Sequence, residues 1–325
     1  MRAAWYDHQG DAADVLHVGE RPDPTAGVGE VRVAVTLSGV NPGDTKKRSG
    51  WLGSSMPYPL VIPHSDAAGI IDQVGAGVDP GRLGQRVWTY GAQSYRPFGT
   101  AASFVVVPEA LAVPLPVEVS DEVGASLGIP GITAHRSVFA DGAVSGKTVL
   151  VQGVLGGVSS LAAQLAHWGG ATVIGTVRRT SDLARVDRSF VDQVVALDDD
   201  PEAAVHAIAP AGVDRIVEVA LSANADFDAA IVANDAVIAT YFSHDDRVDL
   251  PFSPLLFANV TIRFLGSDDF SSEAKRQAAH DLTDAAHTGA VTVTVDEVLP
   301  LAQIAAAHDR VDAGAKGRVL VAVAE

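Results

Sequence analysis

The chain of 325 residues contains no cysteine. That absence excludes disulfides, thiolate-held zinc, iron–sulfur clusters and a cysteine nucleophile. Positive charge is scarce as well: 23 Lys and Arg stand against 40 Asp and Glu, a formal net charge of −17. A field of that sign repels phosphate backbones and anionic lipid, so neither nucleic acid nor a membrane surface is expected as a partner. It still permits a local basic pocket for one phosphorylated cofactor. No apolar run reaches the ~18 residues of a spanning helix, and Met1–His8 meets charge before any apolar stretch, so a soluble, cytoplasmic protein is expected. Apolar residues at 47% with charged residues at 19% give a globular composition rather than a disordered one. The length suits one large or two ordinary domains.

The first third is punctuated by Gly and Pro and alternates. In Glu30–Ser38, Val31, Val33, Val35 and Leu37 fall on one face, and Arg32, Ala34, Thr36 and Ser38 on the other. That period of two predicts a half-buried strand. Further strands are expected at Ala67–Val74 and Arg86–Tyr90, and an extended exit from Val107 to Pro116. Short strands with such turns between them suggest a small β-barrel.

Beyond about Asp121 the pattern changes. Apolar strands are expected at Thr148–Gln152, Ala171–Val177, Gln193–Leu197, Val213–Ala220 and Ala236–Thr240, with helical segments between them. In the first of these helices Val158, Leu161, Leu165 and Trp168 lie on one face, ending at Gly169-Gly170. Alternating strands and helices imply a parallel sheet covered on both faces, a doubly wound nucleotide-binding architecture. The tail reads as strand Val260–Leu265, helix Ser272–His287, strand Val291–Val295, helix Leu301–Val311 and strand Arg318–Val323.

Gly153-x-x-Gly156-x-x-Ser159 sits between the first of these strands and its helix. A diphosphate approaching helix N-terminal N–H groups needs positions without side chains there, although an ordinary strand–helix turn can look the same. An NAD site usually places an acid at the end of the second strand, to hold the ribose 2′-OH. Here that strand ends Val177-Arg178-Arg179-Thr180. Two guanidinium groups suit a 2′-phosphate, and their presence in so acidic a chain points to NADPH rather than NADH. The competing reading is a solvated surface loop.

Several ordered segments together carry a resemblance. TVLVQGVLGGVS (148–159) resembles the cofactor turn of medium-chain dehydrogenases/reductases, specifically their zinc-independent, zeta-crystallin-like quinone oxidoreductase branch. GVNPGDT (39–45) with Arg48-Ser49-Gly50, HSDAAG (64–69) with Val74-Gly75, FGTAA (98–102), LGIPGITA (127–134) and Gly314-x-x-Gly317-Arg318-Val319-Leu320 are similar to further family segments. The resemblance implies an α/β protein with a GroES-like β-barrel domain, 1–122 and 266–325, and an inserted Rossmann domain, 123–265. It also implies a homodimer. Two departures stand out: Ser159 replaces the third glycine, and Lys46 stands where the branch often carries tyrosine. Zinc relatives ligate metal with a Cys where this chain has Asn41 and a His where it has Ser65. No metal site is therefore expected.

Without zinc as a Lewis acid, hydride transfer needs an intrinsically electrophilic acceptor, such as a quinone or an activated alkene. The resemblance puts Asn41 and Thr133 near the nicotinamide end. Asn41 either orients cofactor or acceptor or simply serves its Asn-Pro-Gly turn. Lys46 and Tyr58 are candidate catalytic groups, with Tyr90 and Tyr95 as further barrel hydroxyls. The cofactor set is Thr133, Gly153, Gly156, Gly157, Val158, Arg178, Arg179, Thr240, Tyr241 and Ser267; Tyr241-Phe242 either walls the nicotinamide pocket or packs in the core. The leading function is an NADPH-dependent, zinc-free and flavin-free quinone oxidoreductase. Alternatives are an alkenal/enone reductase on the same scaffold and a non-catalytic NADPH-binding structural or sensor protein. The Arg178→Ala variant should raise the NADPH dissociation constant and leave that for NADH nearly unchanged in parallel titrations; equal losses for both would remove the 2′-phosphate argument.

Overall fold

A computed structural model describes residues 1–323. Its strands are β1 (Arg2–Trp5), β2 (His17–Glu20), β3 (Glu30–Val40), β4 (Asp66–Val74), β5 (Arg86–Thr89), β6 (Phe104–Pro108) and β7 (Ala112–Pro114). There follow β8 (Thr148–Val151), β9 (Thr172–Val177), β10 (Gln193–Ala196), β11 (Val213–Glu218), β12 (Val232–Thr240) and β13 (Thr261–Phe264). β14 (Val295–Pro300) and β15 (Arg318–Ala322) complete the set. The chain forms two compact units. One comprises Met1–Pro130, Ala279–His287 and the described chain from Thr292 onward; the other comprises Gly131–Ala278 and Thr288–Val291.

In the first unit the sheet order is β14-β15-β3-β4-β5-β7, with β6 also on β3. All its pairs are antiparallel except β14 with β15. Strand β3 keeps the expected alternation while one face is wet: Val31, Val33 and Val35 are buried and their neighbours partly open. After the register irregularity between Val35 and Leu37, every residue to Val40 is buried. This carries the polar residues Ser38 and Asn41 into the interior. The stretch expected as an extended exit instead supplies β6 and β7, paired with β3 and β5. Its prolines are confined to strand ends, where they cost no central ladder bond.

In the second unit the order is β10-β9-β8-β11-β12-β13 and every pair is parallel. This is the doubly wound order 3-2-1-4-5-6, which reverses direction between β8 and β11. Val149, Leu150 and Val151 are all fully buried, as the continuous apolar run requires of a central strand.

Some local expectations need correction. The helix Gly157–Trp168 buries Leu161 and Leu165, but Trp168 is exposed. Spacing along a helix cannot show where a neighbouring layer ends. The strand expected at Val291–Val295 begins instead at Val295, because its hydrogen-bonding partner β15 opens there. Asn41-Pro42-Gly43-Asp44 is the start of a helix, Pro42–Ser49, rather than a free turn.

Candidate functional site

In the first unit the buried polar residues gather around the C-terminal end of β3. Asn41 caps the helix Pro42–Ser49 from an extended conformation, with proline at the first helical position. Its backbone N–H donates to Asp44 Oδ2 at 2.8 Å. Its side-chain Nδ2 donates to Asp66 Oδ2 at 2.6 Å, and the other oxygen of Asp66 accepts from the Ile129 backbone N–H at 2.8 Å. A Cβ on Gly128 would lie 2.1 Å from Asp66 Oδ1, so only glycine lets the chain reach that carboxylate. Because a carboxylate accepts and cannot donate, Asp66 fixes which way the Asn41 amide faces.

Two further groups complete this cluster. Arg318 is buried beside Asp66 and Asp44, and burial lowers its pKa from the guanidinium value. Asp44 is buried too, and burial, with Asp66 nearby and Lys47 opposing, pushes its pKa up to about 7. Lys46, on the same helix, is half-buried with Nζ 4.5 Å from the centre of the Trp51 ring; burial lowers its pKa. Tyr58 Oη donates to the Tyr95 carbonyl at 2.5 Å, and Tyr90 Oη to the Ala110 carbonyl at 3.4 Å.

His64 directly precedes Ser65 and Asp66 in the chain. It is fully buried in a left-handed conformation, φ 74°. Thr100 Oγ1 donates to the Asp66 carbonyl at 2.8 Å, so Ser38 Oγ donates to Thr100 at 2.7 Å and accepts from His64 Nδ1 at 2.8 Å. His64 Nε2 therefore accepts from His308 Nε2 at 3.0 Å. Burial drives both pKa values down, that of His308 to about 3, so both rings are neutral at physiological pH. Among the described residues no three His, Cys, Asp or Glu side chains come together as a metal site.

In the second unit the chemistry collects at the carboxyl ends of β8, β9, β11 and β12. Gly153 has φ 60°, a conformation suited to glycine, and turns the chain out of β8. Gly156 caps the helix Gly157–Trp168, and Gly156 and Gly157 are exposed. The first-turn N–H groups of this 12-residue helix, from Gly157 and Val158, lack partners within the helix and face the N-terminal end of its dipole. Ser159 is buried and its Oγ meets Tyr241 Oη at 3.0 Å. That contact brings Tyr241, after β12, to the glycine turn. Burial raises the Tyr241 pKa, so the hydroxyl stays protonated. Thr240 is buried at the end of β12. Its carbonyl accepts from the Leu265 N–H at 2.9 Å, which places Ser267 two residues further along the chain. Thr133 is buried on the helix Ile129–Phe139, its carbonyl accepting from Ser137 Oγ.

Arg178 and Arg179 follow β9 directly and are exposed. Neither pairs with a carboxylate among the described residues: the nearby Asp182 takes Arg185, and Asp198, which reaches the neighbouring Thr180, takes its N–H and hydroxyl. Glycines that keep the turn open, first-turn N–H groups and two available guanidiniums fit a dinucleotide with a 2′-phosphate.

Pattern reading missed the acids that hold these groups in place. Asp66 heads an apolar strand. Asp228 falls on the buried face of the helix Leu221–Ile231, spaced with Leu221 and Ala225. An acid on an apolar stripe is a signal that could have marked it.

Residues 27–117 match the family described as Alcohol dehydrogenase GroES-like domain, and residues 191–321 match Zinc-binding dehydrogenase. Quinone oxidoreductase of Rattus norvegicus is 38% identical over 148 residues, covering 45% of this chain and 44% of that protein. The aligned region thus spans less than half the length of that curated relative. An NAD-dependent alcohol dehydrogenase structure superposes with a TM-score of 0.87 at 25% identity, covering 100% of both chains. A mycobacterial protein complexed with NADPH superposes at 0.82 with 26% identity, covering 99% of each. The chain belongs to the medium-chain dehydrogenase/reductase superfamily. Within it, the chain fits the zinc-independent quinone oxidoreductase branch, to which its quinone oxidoreductase relatives point; cysteine is absent throughout.

Asp44 carries a pH signature. Its folded pKa lies above the unfolded value, so the folded chain keeps a proton that the unfolded chain has lost. This contribution to stability is present below about pH 4 and is lost as pH rises towards about 7. Asp44→Asn keeps the acceptor for the Asn41 N–H. Its stability relative to wild type should therefore climb across that window in denaturant titrations; a constant difference would mean that Asp44 is ionised throughout.

Proposed function

We propose that this protein is an NADPH-dependent reductase of electrophilic small molecules, with quinones as its acceptors, working without zinc or flavin. The observation that carries the cofactor choice is the pair Arg178 and Arg179, exposed at the end of β9 without carboxylate partners in a chain of net charge −17. The quinone assignment is supported by the names of the sequence relatives.

When bound, a dihydronicotinamide supplies the hydride. The protein's own residues bind and orient. Gly153, Gly156, Gly157 and Val158 leave room and N–H groups for the diphosphate, while Ser159 and Tyr241 add hydroxyls beside it. Thr133, Thr240 and Ser267 complete the cofactor set. On the barrel unit, Asn41 presents an amide whose orientation is fixed by Asp66; a preoriented dipole of this kind stabilises developing charge on an acceptor oxygen. Hydroquinone oxygens can take protons from water, so this reading needs no dedicated acid.

Alkenal or enone reduction is the second reading, favoured by Lys46. A half-buried ammonium with a lowered pKa is a suitable proton source for the carbon that such a reaction leaves anionic. Tyr58 is a weaker donor, since its hydroxyl is engaged with the Tyr95 carbonyl.

The working form in this proposal is a cytoplasmic homodimer. No helix among the described residues is long and apolar enough to cross a membrane. Strand β13 ends the parallel sheet, and Phe252, Phe257 and Phe264 are exposed on and beside it. An apolar edge of this kind is a template for pairing.

NADPH consumption against an ortho-quinone and an α,β-unsaturated ketone, measured side by side, separates the two readings. Turnover with the quinone alone is expected. Turnover with the ketone, lost in Lys46→Met, would favour the enone reading, and silence with both would overturn the enzymatic proposal. Phe264→Asp should convert a dimer into a monomer in light scattering; a wild-type monomer would remove the edge-strand argument.

A further inference from the structure

A chain of buried polar groups runs beneath the glycine turn. The Gly153 backbone N–H points inward and donates to Thr176 Oγ1 at 3.0 Å. Thr176 donates to Gln152 Oε1 at 2.7 Å, and Gln152 Nε2 donates to Asp228 Oδ1 at 2.8 Å. Each donor is committed by the one before it, so the chain has a single direction. Its last atom, Asp228 Oδ2, is buried and meets no N–H or O–H donor among the described residues. What faces it is the Glu218 carboxyl at the end of β11.

Two carboxylates cannot face each other in an apolar interior unless one carries a proton. The surroundings decide which. Glu218 accepts from the Ala220 N–H and from Asn224 Nδ2, which lies 3.1 Å from both of its oxygens. Asp228 accepts, among the described residues, only from Gln152. Hydrogen bonds favour the ionised form, so Glu218 is the anion and Asp228 the acid. No cation faces Asp228 among the described residues; Tyr241, protonated, is the other titratable group facing Glu218.

We propose that Asp228 is a positioning residue for the cofactor turn: held as the acid, it donates to Glu218 and, through Gln152 and Thr176, turns the Gly153 N–H into the core. The arrangement lies at the carboxyl ends of the paired strands β8 and β11, where the strand order reverses, and it rests on the cofactor reading given above. Ionising Asp228 sets two anions against each other; the repulsion moves the Asp228 carboxylate, and Gln152, which donates to it, moves with it. The turn then loses its inward anchor, and the dinucleotide loses the shape it binds.

Titrating NADPH into the full chain from about pH 7 to about pH 10, followed by nicotinamide fluorescence, tests this. The 2′-phosphate, with its second pKa near about 6, is fully ionised throughout that range. In wild type the dissociation constant should rise roughly tenfold towards the alkaline end. Asp228→Asn keeps an amide donor facing Glu218 and should bind NADPH with a nearly flat profile. Glu218→Gln, a second and independent variant, removes the facing charge, so ionising Asp228 no longer opposes two anions and the profile should again be nearly flat. Parallel profiles for wild type and Asp228→Asn, or an undiminished rise in Glu218→Gln, would overturn the inference while leaving the cofactor reading intact. No binding by wild type at any pH would overturn both.

Discussion

A parallel sheet covered on both faces leaves polar groups almost nowhere to go but the ends of its strands. Val149, Leu150 and Val151 fill the middle of the second unit, and the polar groups around the glycine turn lie at the carboxyl edge. There the order reverses between β8 and β11, the point at which sheets of this order generally receive their ligands. Gly153, Gln152, Thr176, Glu218 and Tyr241 collect at that edge because the layers exclude them from elsewhere. The cofactor turn and the acids beneath it are two consequences of one packing constraint.

Buried charge is handled differently in the two units. In the first, Asp66 is satisfied by Asn41 and the Ile129 N–H, and Arg318 lies close enough to oppose it. Asp44, in the same cluster, meets burial by taking up a proton near neutral pH. In the second unit no cation faces Asp228 among the described residues, and the proton proposed on Asp228 takes the place of a counter-charge. Either device costs stability relative to an apolar core, and a cost of that kind is commonly retained where geometry has a function. The His64–His308 pair follows the same logic. Both rings give up charge, and the resulting directional hydrogen bonds hold His64 in a left-handed conformation that its side chain disfavours.

Much of the layout was legible in sequence. The alternation of Val31, Val33 and Val35 identifies a half-wet strand, and the apolar run at 148–151 a central one, because period two and continuous burial leave different patterns. The glycine turn was legible as an open junction between strand and helix, and the Arg pair as the end of the next strand, because both follow from local spacing. The helix Pro42–Ser49 was not, since Asn-Pro-Gly serves a turn and a helix start equally well until the cap bonds are seen. Trp168 kept its spacing but fell beyond its neighbouring layer.

The sequence by itself determined the two architectures, the absence of thiolate chemistry and the acidity of the surface, because periodicity, composition and charge are properties of the chain. Tertiary structure alone decided which acids are partnered. Asn41 and Asp66 are 25 residues apart, Gln152 and Asp228 are 76, and Ser159 and Tyr241 are 82. A hydrogen bond depends on ångströms and direction, and no pattern of spacing along the chain carries that information across so many residues.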